Sequence, residues 1–389
     1  MKGYDAIVVG GGAIGTSTIF HLAKRGVKRA LLLEKFGAYG RGATGIWGSL
    51  VRMFFANAQV TELAVKSVPF YNEFQERVGE LFPWTKTGSL YFIPRDRLQE
   101  YEPQLTAMRQ GQLPFSILDA VEGRALFPDF SWYETDVAIY ESQAGVACPT
   151  GSTAALAQAA QRLGAETELA AEVVEILKEG DRATGVRLAN GAVYEGDQII
   201  VCSGIWTNAL LAPLPAETRA FPRSLQLSRF CRHHGELNHP FFVDISAMTF
   251  GHPTQNGSFI GGYLGGQLDG YGRSVDHLSV ELANEAKHKI AQRIPWVKTA
   301  TLEGGIKALE NYTQERMGFV ERLPNFRNVI VSTGWSCTGF TLAPAIGAQI
   351  AEMVTGSEVV PRADLKGLEG LLNGVDGDRA GALTVELSS

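Results

Sequence analysis

Apolar residues along this 389-residue chain follow two rhythms, short unbroken runs and longer stretches with helical spacing. Tyr4 to Val9 is mostly apolar and β-branched, the mark of a strand covered on both faces. It runs into Gly10 to Gly15, after which Ile14 to Lys24 repeats apolar residues at helical spacing as far as Gly26. A second apolar run, Ala30 to Leu33, ends at Glu34. The pattern predicts strand, tight turn, helix and strand, the opening of a βαβ unit.

Farther along, the Ala-rich segment Pro149 to Leu163 predicts a helix. Glu172 to Ile176, Ala183 to Leu188, Ala192 to Tyr194 and Gln198 to Val201 predict short strands joined by Gly and Asn turns. Asn328 to Ser332 reads as a strand entering Gly334, and Pro344 to Val354 as a helix stopped by Gly356. Residues 86–144 and 221–324 differ in character, being rich in aromatics and short extended runs, and read as a second lobe inserted into the first. The residues after 366 are Gly-rich and weakly patterned, the expected form of a loose tail.

Composition narrows the function classes. The net charge of −6 comes without a block of like charge, so an extended nucleic-acid footprint or a polybasic membrane patch is not expected. No apolar run reaches the roughly 18 residues of a membrane span, and the N-terminal run belongs to a strand rather than a leader. Cys148, Cys202, Cys231 and Cys337 are scattered with no C-x-x-C pair, which argues against a disulfide framework or zinc site and for a cytoplasmic setting. The Asn311-Tyr312-Thr313 sequon has no secretion signal to support it.

The chemistry begins at Gly10-x-Gly12-x-x-Gly15, which lets the backbone, including Ala13 and Ile14, approach a pyrophosphate at a helix N-terminus. Glu34 ends the second strand, where a carboxylate accepts ribose hydroxyls and Lys35 follows. A 2′-phosphate would sit badly beside it, which argues against NADP.

Arg41-Gly42-Ala43-Thr44-Gly45 resembles the second glycine-rich segment of the D-amino acid oxidase-like family, which holds sarcosine oxidase, glycine oxidase and related dehydrogenases. Gly145 to Ala165 with Glu172 to Ile176, then Cys202 to Trp206, and Asn328 to Gly347 resemble the same family in the same order. The resemblance implies an α/β fold: a Rossmann-type FAD-binding domain from residues 1–85, 145–220 and 325–366, an inserted antiparallel-sheet substrate domain from 86–144 and 221–324, and a tail over 367–389. It implies that Val174 meets the adenine, that Ser203, Gly204 and Trp206 lie near the pyrophosphate or ribityl chain, and that Gly334, Thr338, Gly339, Phe340 and Thr341 cap the isoalloxazine. That last loop precedes an apolar helix, so its donors suit negative charge on a reduced flavin.

On the substrate side the resemblance implies that Arg52 pairs with a carboxylate, a task for which a planar, permanently charged fork is well suited. The competing reading is an arginine salt-bridged at the lobe interface. Lys307 falls where relatives carry a carboxylate-binding arginine and is either an anion contact or a surface lysine. Tyr263 is either a hydrogen-bonding cavity wall or a core tyrosine. The dioxygen-activating lysine of sarcosine oxidases is Ile260 here, the flavin-tethering cysteine falls near Glu310, and a second carboxylate-binding lysine corresponds to Thr341. Noncovalent FAD is therefore expected. His233, His234, His239 and His252 fit no metal spacing and read as solvated or core histidines. The expected activity is oxidation of an amine or amino acid by hydride transfer, with dioxygen, a quinone or a redox protein as electron acceptor. The rival readings are a bulky or protein-borne amine substrate, or a flavoprotein without catalysis.

Overall fold

The computed structural model describes residues 3–46, 49–82, 84–214, 216, 218–232, 239–254, 258–263 and 278–356. The tail expected at 367–389, together with His233 and His234, lies outside the described residues. Among the described residues no helix is long and apolar enough to cross a membrane.

Gly3–Val9 is a strand with both faces covered: Ala6 and Val8 point into one hydrophobic core, and Ile7 and Val9 into another. It pairs in parallel with Ala30–Leu33 on one side and Val193–Val201 on the other. Glu166–Glu168 and Phe326–Thr333 extend this parallel arrangement, and the antiparallel meander Val173–Glu179, Arg182–Leu188 brings to seven the strands of an 8-stranded sheet. Phe319–Leu323, which the sequence places in the second lobe, instead folds back on Phe326–Thr333 within this first sheet. The turn between these two strands is too short to carry the chain elsewhere.

The helices Ala13–Lys24, Ala58–Asn72 and Gly339–Thr355 pack together on the sheet face that Ala6 and Val8 share. Gly347 lets the last helix approach the first, since a Cβ there would lie 2.4 Å from Ser17 Oγ. A Ser67 hydroxyl donating to the Leu342 carbonyl at 3.2 Å ties in the third.

The second sheet also has 8 strands, in the order Thr301–Tyr312, Phe221–Cys231, Ser258–Tyr263, Thr249–Pro253, Phe241–Asp244, Ser89–Pro94, Asp136–Glu141 and Ser116–Leu118. Both aromatic-rich stretches thus meet in one sheet, antiparallel except where Phe241–Asp244 runs parallel to Ser89–Pro94. Its outer face packs Phe92, Phe230, Phe242 and Phe259 against the helix Val280–Arg293. Its inner face presents Tyr91, Ile93 and Val243 to the core shared with the first sheet's helices.

On the outer side Arg293 is fully buried between two carboxylates, donating to Asp244 and Asp136 at 2.6 Å each and to the Ser131 carbonyl at 2.7 Å. Its guanidinium lies 4.0 Å above the Phe92 ring. One side chain thereby joins the helix to three segments of the lobe. They border a cavity of about 740 Å³ lined by Arg95, Asp96, Tyr133 and Gln292 among others.

Candidate functional site

Four segments converge at the N-terminus of the 13–24 helix. Gly10 has φ of +107°, and a Cβ on it would stand 2.5 Å from the Cys202 carbonyl oxygen; a Cβ on Gly15 would stand 1.8 Å from the Gly10 oxygen. Gly12 forms the N-cap without a side chain, leaving the first backbone donors of the helix to be met otherwise. One is met by Thr44, whose Oγ1 accepts from the Ala13 N–H at 3.1 Å. The Gly40 N–H donates to the Gly11 carbonyl at 2.9 Å, so the second glycine-rich segment lies against the first. Gly42 faces the Trp206 ring, 3.6 Å from where its Cβ would be. Ala43 opens the short helix Ala43–Ile46, and Arg41 is exposed.

Glu34 is buried, and each carboxylate oxygen accepts one backbone N–H, from Gly11 at 2.6 Å and Phe36 at 2.8 Å. Burial pushes its pKa up, while these two donors work the other way. A carboxylate offers about four lone-pair sites, so capacity for two hydroxyls remains. Lys35 pairs with Glu172 at 3.2 Å and lies 4.4 Å over the Trp206 ring.

Val174 is the extra residue of a bulge between the Val173–Leu188 and Glu175–Arg187 pairs, and it is 48% exposed. Its backbone groups are therefore left out of the ladder. Ser203 shares a hydrogen bond with Thr207, and Gly204 has φ of +56°. The Gly204 carbonyl accepts from Asn311 Nδ2 at 3.0 Å, and the same amide donates to Thr333 at 2.7 Å. Asn311 is 5% exposed and its Oδ1 has no partner. The sequence singled it out only as part of a sequon and gave it no place in the site; the available signal was a buried amide beside Tyr312 at the end of the 301–312 strand.

The loop from Gly334 joins this group from the far end of the chain. A Cβ on Gly339 would lie 3.5 Å from Ile14, and Phe340 stacks on Tyr71 with centroids 5.6 Å apart. Gly334, Ser336 and Cys337 all adopt left-handed backbone, and Thr338 Oγ1 donates to the Trp335 carbonyl at 2.5 Å. Thr341 donates to the Leu50 carbonyl at 2.5 Å, linking the loop to the segment that carries Arg52. Glu310, buried, contacts the Cys337 thiol, which also meets the Tyr312 hydroxyl at 2.9 Å. Burial raises the Glu310 carboxyl to about 7.

Arg52 stands in an aromatic cage. Its guanidinium carbon lies 4.0 Å from the Phe55 centroid, 5.4 Å from Tyr91 and 6.0 Å from Phe241. It donates to the Phe54 carbonyl at 2.8 Å and makes no ion pair among the described residues. The nearby carboxylate, Glu141, is occupied by the Met53 and Phe54 N–H groups at 2.7 and 2.9 Å.

Tyr263 and Lys307 correct the sequence reading. Tyr263 belongs to the outer core with Phe259, and the Lys289 ammonium of the 280–293 helix lies 4.3 Å over its ring. Lys307 is opposite Gln226, whose side chain bonds the backbone of Ser279 at that helix's N-cap, so the pleat assigns Lys307 to the outer face too. A one-residue change of position in a strand reverses the face, and spacing from a motif does not resolve it. Neither residue joins Arg52.

The residues present fit a flavin dinucleotide: glycines without room for a Cβ, a pinned carboxylate with spare acceptor capacity, an unpaired bulge and an orphaned buried amide oxygen. The sequence model of the FAD dependent oxidoreductases matches residues 5–353. The chain is 27% identical to the monomeric sarcosine oxidase of Streptomyces avermitilis over 381 residues, covering 92% of this chain and 95% of that protein. It is 22% identical to human mitochondrial sarcosine dehydrogenase, covering 94% of this chain but 41% of that longer protein. The crystal structure of L-proline dehydrogenase from P. horikoshii superposes with a TM-score of 0.82 at 21% identity, covering 92% of this chain and 95% of that one. With a family match running from the first strand to the last helix over these glycines, the chain belongs to the family of FAD dependent oxidoreductases.

Proposed function

We propose that this oxidoreductase acts on the C–N bond of an amine or amino acid whose carboxylate is held by Arg52. The observation that carries the reading is a caged guanidinium that makes no ion pair among the described residues, the nearby Glu141 being bonded to backbone N–H groups, and that is tied through Leu50 to the 334–341 loop. Burial works against its charge, so an incoming carboxylate would gain both a bidentate partner and a weakly screened site.

FAD, when bound, supplies acceptance of a hydride at N5, leaving an imine product that water hydrolyses. Gly10, Gly12, Ala13, Ile14 and Gly15, with Arg41 to Thr44, would hold the pyrophosphate, and Glu34 and Lys35 the ribose. Val174 would meet the adenine, Ser203, Gly204 and Trp206 the middle of the cofactor, and Gly334 with Thr338 to Thr341 the ring. Association is read as noncovalent, since the relatives' tethering cysteine falls near Glu310 in this sequence. The first sheet then serves as the cofactor lobe and the second as the substrate lobe. With four free cysteines, the setting is read as cytoplasmic. Positioning does most of the catalytic work. The electrons pass on to dioxygen, a quinone or a redox protein.

Anaerobic single-turnover reduction with an amino acid and with its decarboxylated amine tests the assignment. Arg52→Lys keeps the charge but loses the fork, so it should slow flavin reduction and weaken binding by tenfold or more for the acid only, with flavin content unchanged. Equal penalties on both would remove Arg52 from this role and favour a protein-borne or bulky amine.

The cofactor reading has its own check. Wild-type protein should release all its flavin on acid precipitation, and Glu34→Ala should weaken retention by about 1–3 kcal/mol, the cost of losing hydrogen bonds to a charged group. Flavin left on the precipitate, or an unaltered dissociation constant, would count against it.

A further inference from the structure

The inner face of the second sheet holds a second arginine that makes no ion pair among the described residues. Arg229 opposes Gly304 on one side and Ile260 on the other, and Ile260 in turn opposes His252. Phe241 comes one step beyond the Phe242–Gly251 pair and so stands beside His252. These residues form a single row across the strands, ending at the ring against which the Arg52 guanidinium lies. Phe230 and Phe259, next along the same strands, point to the outer core, which fixes Arg229 and Ile260 on the inner face. The bulge at this point inserts its extra residue into the 301–312 strand and leaves the alternation around Arg229 intact.

Arg229 is half-buried, its Nε is sealed from water without a partner, and it makes no ion pair among the described residues. The carboxylate near this end of the sheet, Glu303, is exposed and bonded to Ser258 at 3.4 Å. His252 is 8% exposed. Its Nδ1 lies 2.9 Å from the Pro253 carbonyl, which can only accept, so Nδ1 carries the proton and Nε2 is left as an acceptor with no donor. Burial lowers its pKa and keeps the ring neutral. From Arg52 onward the row therefore offers a cation, an acceptor and a second cation. The Cα atoms of Phe241 and Arg229 are about 14 Å apart, three strand spacings, and the arginine side chain shortens that span.

Resting on the amine-oxidation reading above, we propose that Arg229 binds a second acid group of the substrate and His252 accepts the amine N–H, so that the substrate is an amine with a carboxylate on each side of its nitrogen. The polarity fits each end: a fork donor suits an anion, and a neutral imidazole acceptor suits an N–H. The apolar row beneath, with Leu227, Phe250, Val243 and Tyr91, would enclose the carbon skeleton.

The test uses purified holoenzyme and thiodiacetate, which has two carboxylates and no oxidisable amine, against (methylthio)acetate, which has one. Titration of the flavin absorbance should show the diacid bound at least tenfold tighter. Arg229→Gln should reduce that ratio to near one, and Arg229→Lys should retain part of it, with flavin content reporting the folding of both. N-(carboxyalkyl)glycines of increasing length should reduce the flavin faster than sarcosine, and the advantage should shrink in the same variants. A diacid bound no tighter than the monoacid, or a ratio that survives Arg229→Gln, overturns the inference. If sarcosine-like monoacids still reduce the flavin then, only the second subsite falls; if no amine reduces it, the amine-oxidation reading falls too.

Discussion

Gly15→Ala should purify as a colourless protein. The added methyl would stand 1.8 Å from the Gly10 carbonyl oxygen and 3.0 Å from its carbon, both backbone atoms. Gly10 cannot retreat, because it is itself wedged against Cys202 and held by its N–H to Leu33 at 2.8 Å. The first turn of the 13–24 helix must therefore move, carrying with it the backbone donors to which the pyrophosphate is assigned in the proposed cofactor site. Overpacking alone costs about 1–3 kcal/mol, and displacing an anion-binding turn adds to that, so FAD affinity should fall by more than a hundredfold. Gly37→Ala is the matched control, with nothing within 4 Å of its Cβ and no positive φ. The ratio of flavin to protein absorbance reads both variants, and a full flavin complement in Gly15→Ala would show that the loop does not carry the cofactor.

The largest loss of stability should come from Arg293. Arg293→Met would leave Asp136 and Asp244, 10% and 3% exposed, without the cation between them. Removing one partner of a buried ion pair costs about 3–5 kcal/mol because the remaining charge is stranded. Urea unfolding should show that loss as a lower midpoint at similar slope. Adding Asp136→Asn and Asp244→Asn should recover part of it. The amides remove the repulsion, and the side-chain oxygen retained at position 244 can still accept from the Ala247 N–H, now bonded to Asp244 at 3.0 Å. A single variant as stable as wild type would mean that the lobe does not depend on this junction.

The first sheet was legible because its central strands are buried on both faces. Ala30–Leu33 matched its apolar run residue for residue, and the first helix began one position earlier than its periodicity. Misreadings arose where tertiary contacts overrode local signals. Glu195-Gly196-Asp197 reads as a turn between two strands, yet Val193–Val201 is one strand. Gly196 is where it passes close over Ile7, whose side chain would lie 2.7 Å from a Cβ. Pro344 reads as a helix start, but the helix begins at Gly339 and carries the proline inside.

In the candidate site, glycines and the acidic strand end were legible because their chemistry is local. Which face a substrate-lobe side chain takes was not. Tyr263 and Lys307 carry suitable groups on the outer side of the pleat, whereas Arg229 escaped notice and His252 was read only as a solvated or core histidine, both on the inner side. Alternation within Phe221–Cys231, with Gln226, Ser228 and Phe230 on one parity and Leu227 and Arg229 on the other, was the available signal. Choosing which parity faced inward required the helix packed on the other side.

The contact of Ile14 with Gly339 has a consequence for biosynthesis. The two sides of the cofactor cleft are separated by more than three hundred residues of chain. At about 5–20 residues per second, a ribosome needs on the order of half a minute to travel from one to the other. Throughout that interval the strands Gly3–Val9 and Ala30–Leu33 have emerged without Phe326–Thr333 or the helix Gly339–Thr355. Pairings this distant raise the contact order and delay closure, so the nascent chain carries sticky, half-covered strands and no finished cleft. A complete cleft is therefore expected only once Phe326–Thr333 and the helix Gly339–Thr355 have emerged and packed on the first strands.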